Sequence, residues 1–119
     1  MLTSEMIKKA ALEAGADGIL KRAMEYMNAN FSDAGLTIKE IASHCYISEI
    51  YLRKIFEQKK NTTPHRVLTD IRMKKAYCYM LENRPVREAA LNTGYSDVYQ
   101  FSRAYKRHFG YPPSKTGLG

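Results

Sequence analysis

The chain has 119 residues, enough for one domain or for two very small ones packed together. Lysine and arginine number 19 against 12 acidic residues, which gives a formal net charge of +7 at neutral pH. No run of residues approaches the length of a membrane-spanning helix, and the first residues lack the apolar core of a signal peptide. These totals disfavour a membrane-spanning or secreted protein, and we expect a cytoplasmic one.

The charged residues are unevenly distributed along the chain. Residues 1–48 carry 5 basic and 6 acidic side chains, whereas residues 49–119 carry 14 and 6. A nearly neutral first part and a basic second part indicate that the later residues meet a polyanion, either nucleic acid or an anionic membrane surface.

No pattern of residues indicates catalysis or metal binding. His44, His65 and His108 do not fall in a ligand spacing with carboxylates, and the sequence has no nucleophile–base pairing or phosphate-binding loop. Cys45 and Cys78 lie inside helical patterns, so we expect both to be reduced and in or near the core. We therefore expect no enzyme activity, no metal and no cofactor.

Helical periodicity runs through the first half of the chain. A short candidate helix over residues 4–14 is followed by an amphipathic pattern over residues 18–30. A capping box beginning at Thr37 starts a short helix, and Ser48 can cap the next one, over residues 49–59. The apolar positions expected to face inward in this half are Leu20, Met24, Met27, Phe31, Ile38, Ile41, Ala42, Cys45, Leu52, Ile55 and Phe56.

The longest helical pattern lies in the second half. Thr63 can cap it and Pro64 suits its first position, so it extends from about residue 64 to residue 82, and helices over residues 86–93 and 97–109 follow. The positions expected to face inward in the long helix are Val67 or Leu68, Ile71, Met73, Ala76, Met80 and Leu81. No segment alternates with period two over strand length, so the sequence predicts an all-α fold of about seven helices.

The last helix has two contrasting faces. Gly94 can take the positive φ that ends the preceding helix, and Ser96 or Asp97 can cap the new one. An apolar stripe consists of Phe101, Tyr105 and Phe109, and the opposite face presents Tyr99, Gln100, Arg103, Lys106 and Arg107 without an acid. Such a face suits the major groove of DNA, although an ordinary solvated basic face has the same composition.

The two halves of the chain repeat a common pattern. An offset of 48 residues places Ile41-Ala42 on Ala89-Ala90, and one extra residue in the second turn then places Lys54 on Arg103. Each copy is a short helix, a tight turn and a longer helix with basic outer positions, which predicts two helix-turn-helix units; a generic helical bundle is the alternative. The predicted segments are an extension or linker over 1–16, a first unit over 17–62, a linker helix over 63–83, a second unit over 84–116 and a tail over 117–119.

This arrangement has a specific geometric consequence. The second helix of a helix-turn-helix lies in the major groove, and two such helices read successive segments when they are about 34 Å apart. A linker helix of roughly 28 Å, together with the width of the flanking units, can set that distance. A single chain can then do what most helix-turn-helix proteins do as dimers.

The second unit closely resembles the AraC-type (AraC/XylS) transcription regulators. The matching residues are Gly94-Tyr95-Ser96-Asp97, Tyr99-Gln100-Phe101-Ser102-Arg103, Tyr105-Lys106, Phe109-Gly110 and Pro112-Pro113. The run from Ile71 to Ala76 matches too, and the resemblance covers about residues 18–116. It implies a bipartite DNA-binding domain of seven helices, commonly the C-terminal part of a longer regulator with a sensor or phosphoacceptor domain in front. Residues 114–117 depart from the family's usual aromatic and arginine.

Family position, exposure and chemistry together select the candidate contacts. Base contacts are expected from Ile50, Arg53 and Lys54 in the first reading helix and from Val98, Tyr99, Gln100 and Arg103 in the second. Phosphate contacts are expected from Ser48, Thr62, Thr63, Ser96, Lys106 and Arg107, although helix capping explains the hydroxyl residues equally well. Ile50, Val98 and Tyr99 can touch thymine methyls or sugars, or close over the core. Arg72 is expected to be structural, bridging the units.

The sequence thus predicts a regulator of transcription that binds specific double-stranded DNA in the bacterial nucleoid. We expect an activator that contacts RNA polymerase, and an asymmetric site because the two reading helices differ. The alternatives are a basic helical adaptor for an acidic protein or an anionic membrane, and an RNA-binding module. Modules that stack RNA bases usually present their aromatic residues on a sheet, which is not predicted here.

Overall fold

The structure is a computed structural model that describes residues 3–7 and 15–117. Over residues 15–117 the chain forms six α-helices and one short 3-10 turn, without a strand, so the predicted all-α fold is confirmed. The helices are α1 (Gly15–Asn30), α2 (Ile38–His44), α3 (Glu49–Lys60), α4 (Pro64–Leu81), α5 (Val86–Asn92) and α6 (Val98–Phe109), and the turn is Pro113–Lys115. Residues 4–7 are helical as well, and the rest of the helix predicted over residues 4–14 lies outside the described residues.

The helices belong to two compact units. Among the described residues, the first unit contains those up to Asn30 together with Leu36–Val67, and the second contains Phe31–Gly35 together with those from Leu68 onward. The chain therefore contributes the loop between α1 and α2 to the second unit, and α4 carries residues of both units.

Side-chain caps start four of the helices. At the predicted caps Thr37, Ser48 and Thr63, the hydroxyl accepts a hydrogen bond from a backbone N–H three residues later, at 3.1 Å in each case. Asp97, rather than Ser96, caps α6, because its Oδ1 accepts the N–H of Gln100 at 2.8 Å. These bonds satisfy backbone donors that a helix N-terminus otherwise leaves free, and they fix where each helix begins.

Helices α1, α2 and α3 contact one another in the first unit. In α1 the predicted burial of Met27 is confirmed, but Ile19 and Ala23 are buried in place of their neighbours Leu20 and Met24, which are only partly buried. Ile19 and Leu20 are adjacent apolar residues, so periodicity allows either stripe, and the structure buries the one that includes the small Ala23. The prediction that α3 buries Leu52, Ile55 and Phe56 is confirmed.

The core of the second unit forms between α4, α5 and α6. It consists of Met73, Ala76, Met80, Ala89, Ala90, Phe101 and Tyr105. Two predictions on α4 were wrong, since Leu81 is 52% exposed and Cys78 is also exposed. Cys78 lies about 200° around the helix from Ala76, away from the buried stripe, and Leu81 is the final residue of α4.

The chain beyond α6 packs back onto that helix. Pro113 is buried, and the hydroxyl of Tyr105 hydrogen-bonds with that of Thr116. The segment that departs from the family pattern therefore covers the side of α6 opposite its polar face.

Candidate nucleic-acid interface

A residue with positive φ forms each helix-turn-helix turn. It is Tyr46 in the first unit, at +60°, and Gly94 in the second, at +87°. A Cβ atom at Gly94 would lie 2.4 Å from the carbonyl oxygen of Phe31 and 2.6 Å from Nε of Arg72. The first turn thus accommodates a tyrosine, whereas the second needs glycine for both its backbone angle and the close approach.

Arg72 supports the turn that precedes α6. Its Nε donates a hydrogen bond to the carbonyl oxygen of Phe31 at 2.9 Å, and its terminal nitrogen donates one to that of Asp33 at 3.0 Å. The guanidinium also lies 5.7 Å from the ring centroid of Tyr95, within cation–π range. Burial lowers the pKa of Arg72 and raises that of Tyr95, and each group opposes the shift of the other. These partners all belong to the second unit, so Arg72 has a structural role there, and these contacts do not form the predicted bridge between the units.

The outer face of α3 presents the three candidate base contacts of the first unit. Ile50 is 67% exposed, and Arg53 and Lys54 are exposed three and four residues later, which places all three on one face. Arg53 lies 3.9 Å from a carboxylate oxygen of Glu49. An exposed pair of this kind stabilises a helix by only about 0.3–0.5 kcal/mol, so a DNA base can compete for the arginine.

The outer face of α6 presents the corresponding side chains of the second unit. Tyr99 is 81% exposed, Gln100 and Arg103 are exposed, and Val98 is partly buried. No acid occurs within α6, and Asp97, which directly precedes it in the sequence, is engaged as the cap. The hydroxyl of Ser96 donates to Oε1 of Gln100 at 3.3 Å, which holds that amide near the start of the helix. Neither Tyr99 nor Ile50 closes over the core.

The phosphate candidates fall into two groups. Ser48 and Thr63 accept capping bonds, so their hydroxyl hydrogens are left to donate elsewhere, while Ser96 bonds within the second unit and Thr62 is partly buried. Lys106 and Arg107 are exposed in the last turns of α6. The basic pair can neutralise phosphates at any DNA sequence, because charge attraction carries no base information.

Tyr51 is a candidate that the sequence reasoning missed. Helices α3 and α6 begin at Glu49 and Val98, so Tyr51 occupies the position that Gln100 occupies in the second unit. Tyr51 is 44% exposed and directly follows Ile50 in α3. The offset that places Lys54 on Arg103 contained this signal.

A second cluster of polar side chains lies at the end of α2. His44 stacks on Tyr26 with ring centroids 4.1 Å apart, and Nε of Arg22 donates to the backbone carbonyl oxygen of His44 at 3.3 Å. Burial, and then the positive charge of Arg22, lower the pKa of His44. Over residues 3–7 and 15–117 no group of three His, Cys, Asp or Glu side chains could hold a metal ion. None of the described helices is both long enough and apolar enough to cross a bilayer.

Two units that each pair a short bracing helix with an exposed, basic second helix define a helix-turn-helix protein that binds DNA. A family model described as a helix-turn-helix domain matches residues 41–117. The raffinose operon transcriptional regulatory protein RafR of Pediococcus pentosaceus is 34% identical over 93 residues, which are 77% of this chain and 33% of that protein.

Solved structures agree with this assignment. The C-terminal domain of AraT, a response regulator from Geobacillus stearothermophilus, superimposes with a TM-score of 0.80 at 32% identity, covering 82% of each chain. A transcriptional regulator with an AraC-type DNA-binding domain from Chromobacterium violaceum has a TM-score of 0.76 at 25% identity, covering 88% of this chain and 94% of that one. The chain belongs to the AraC/XylS family of helix-turn-helix, DNA-binding transcription regulators, as the sequence predicted. It spans about a third of the length of the curated relatives it matches.

Proposed function

We propose that the chain reads two successive major-groove segments of one asymmetric DNA site, one with each unit. The observation that carries the proposal is that equivalent, exposed positions of α3 and α6 hold different side chains. These pairs are Ile50 with Tyr99, Tyr51 with Gln100, and Lys54 with Arg103. Two helices that present different donors and apolar groups prefer different base sequences, so the best site has two unlike halves.

The candidate side chains divide by the part of the DNA that each can contact. Arg103, Arg53 and Lys54 can donate to O6 and N7 of guanine. Gln100 can bond adenine with both the carbonyl oxygen and the NH2 of its side-chain amide. Ile50, Val98 and Tyr99 offer apolar contact to thymine methyls or sugars. Contacts with the DNA backbone come from Ser48, Thr62, Thr63, Ser96, Lys106 and Arg107.

The wider function proposed here is transcription activation in the bacterial cytoplasm, at the nucleoid, with RNA polymerase as a partner. Two observations support a longer regulator. Curated relatives are about three times the length of the matched region, and AraT, the source of a similar C-terminal domain, is a response regulator. In such a regulator a sensor or phosphoacceptor domain would supply the signal that controls DNA binding. The competing function is a basic adaptor for an acidic protein or an anionic membrane.

Substitutions on α6 test the readout. We expect Arg103→Ala to cost about 1–3 kcal/mol of specific binding and to relax the preference at one base pair, because a bidentate contact is lost. Lys106→Ala, on the same helix and with the same loss of one charge, should weaken all duplexes alike and reduce the slope of log K against log salt by about one. Quantitative binding to the selected site and to random duplex, at several salt concentrations, measures both effects.

The experiment has clear contrary outcomes. If both variants lower specific and random binding equally, the assigned reading role of Arg103 is wrong. Selection of bound sequences from a random duplex pool tests the two-part site directly, and a single short consensus would contradict it. Absence of any enrichment, together with binding to vesicles containing anionic lipid, would favour the adaptor.

A further inference from the structure

An apolar cavity of about 270 Å³ lies in the second unit, between α5 and the start of α6. Its lining residues are Arg87, Ala90, Leu91, Ser96, Asp97, Val98 and Tyr99. Leu91 is 55% exposed at this cavity, and the neighbouring Tyr99 is more exposed still. Leu91 and Tyr99 thus place two large apolar side chains at one surface opening beside the polar reading face, where an apolar group of a bound molecule could be covered.

The internal repeat shows which features of this cavity are particular to the second unit. Helices α2 and α5 begin at Ile38 and Val86, so Ser43 is the first-unit counterpart of Leu91. Glu49 is likewise the counterpart of Val98, since these residues begin α3 and α6. Two apolar walls of the second unit are therefore replaced by a hydroxyl and a carboxylate in the first.

The basic rim, in contrast, is common to both units. Arg87 corresponds to Lys39, and both are exposed at the second position of their helices. A cationic side chain at this position of both units can bind the phosphate backbone, which both units contact along DNA. The apolar walls occur only in the second unit, so they can bind an apolar group that only the second half of the DNA site contains.

We propose that this cavity receives the C5-methyl edge of a thymine in the duplex segment contacted by the second unit. The inference rests on the proposed function and extends it to a base class and to Leu91, which the sequence did not single out. Thymine is the only base of unmodified DNA that presents a methyl group in the major groove. The cavity also adjoins the reading face directly, because Tyr99 forms part of its wall and Gln100 follows it in α6.

The charges at the opening fit this occupant. Asp97 is the one acid among the lining residues, and its carboxylate already accepts the N–H of Gln100 at 2.8 Å. Arg87 also lines the cavity and supplies a positive charge that a DNA phosphate can approach. An apolar wall with a cationic edge therefore matches a thymine methyl group that lies in the major groove near a phosphate of the same strand.

Replacing single thymines by deoxyuridine tests the proposal, because dU lacks only the methyl group. The 119-residue protein is bound to its selected duplex, and each dT of the half-site read by the second unit is changed to dU in turn. At one position we expect about fourfold weaker binding, the equivalent of ~0.8 kcal/mol for one methyl-sized group. The same loss should not depend on salt concentration, since no charge changes.

Two leucine variants separate the cavity from general effects. In Leu91→Ser, which installs the first unit's residue, the fourfold difference between dT and dU duplexes should shrink at that position, because one apolar wall is lost while Val98 and Tyr99 remain. Leu81→Ser is the matched control, because Leu81 is an exposed leucine of the same unit that does not line the cavity, and it should keep the fourfold difference. Circular dichroism establishes that both variants fold.

Each outcome supports or overturns the inference. A dU scan without a sensitive position overturns it and leaves the cavity as a contact for an apolar group of a protein. A sensitive position that persists unchanged in Leu91→Ser also overturns it, because the methyl then binds elsewhere. Failure of the proposed function is a different result, in which no duplex sequence is selected at all.

Discussion

Gly94 and Gly110 have nearly the same backbone conformation but different surroundings. Their φ angles are +87° and +86°, in the region that L-residues with a Cβ rarely adopt. A Cβ at Gly110 would meet no atom within 4 Å, whereas one at Gly94 would overlap the carbonyl oxygen of Phe31. A substitution at Gly110 therefore measures the cost of backbone strain alone, whereas one at Gly94 adds the cost of a steric clash.

Alanine at these two glycines should destabilise the protein unequally. We expect Gly110→Ala to lower the free energy of unfolding by about 1–2 kcal/mol, the cost of left-handed backbone for one residue. Gly94→Ala should cost about 1–3 kcal/mol more, because Phe31 and Arg72 must also move. Urea unfolding followed by circular dichroism measures the difference, and equal losses would show that the close approach at Gly94 relaxes without cost.

At the scale of the element, the start of α6 depends on one carboxylate. Asp97 rather than Ser96 bonds the N–H of Gln100, and Val98, Tyr99 and Gln100 all lie in the turn that this bond fixes. The cap thus serves stability and the position of the candidate base contacts together. Its negative charge also suits the positive end of the helix dipole.

Removing this cap should be measurable in unfolding experiments. We expect Asp97→Ala to lower the free energy of unfolding by about 0.5–2 kcal/mol, and Asp97→Ser to restore most of the loss because a serine hydroxyl can also cap. Ser96→Ala serves as the neighbouring control and should change stability by less than about 0.5 kcal/mol. A larger loss for Ser96→Ala than for Asp97→Ala would contradict the assignment of the cap.

At the scale of the whole molecule, the second unit is discontinuous in sequence. Arg72 hydrogen-bonds Phe31 and Asp33, 41 and 39 residues earlier in the chain, and the Gly94 turn packs against the same guanidinium. The side chain of Arg72 therefore joins the loop of residues 31–35 to the turn that sets the orientation of α6. Both segments should lose order together when it is removed.

Replacing Arg72 by methionine tests this coupling. We expect Arg72→Met to lower the free energy of unfolding by about 1.5–3 kcal/mol, since two hydrogen bonds from a charged, partly buried group are lost. Amide hydrogen exchange should accelerate in residues 31–35 and in residues 94–96 together. Lys74→Met, at an exposed site two residues along α4, should leave both segments unchanged. Faster exchange in only one of the two segments would show that they open independently.

The features predicted correctly from sequence depend on neighbours within about one helical turn. The hydroxyl caps at Thr37, Ser48 and Thr63 each bond a backbone group three residues away, so the local sequence contains both partners. The buried face of α3 follows from its spacing of apolar residues in the same way. The candidate DNA-contacting residues stay predictions, although the exposure of Ile50, Arg103 and Tyr99 agrees with the polar faces read from the sequence.

The sequence by itself determined the helical class, the caps of α2, α3 and α4, the repeat and the family, because periodicity and hydrogen bonding within a turn are local. Only the tertiary structure decided the phase of α1, the exposure of Cys78, the partners of Arg72 and the cavity beside Leu91. Each of these depends on which face of one element meets another. Residues separated by some 40 positions leave no periodic signal of their contact, and the close packing of the folded chain selects among the pairings that local patterns allow.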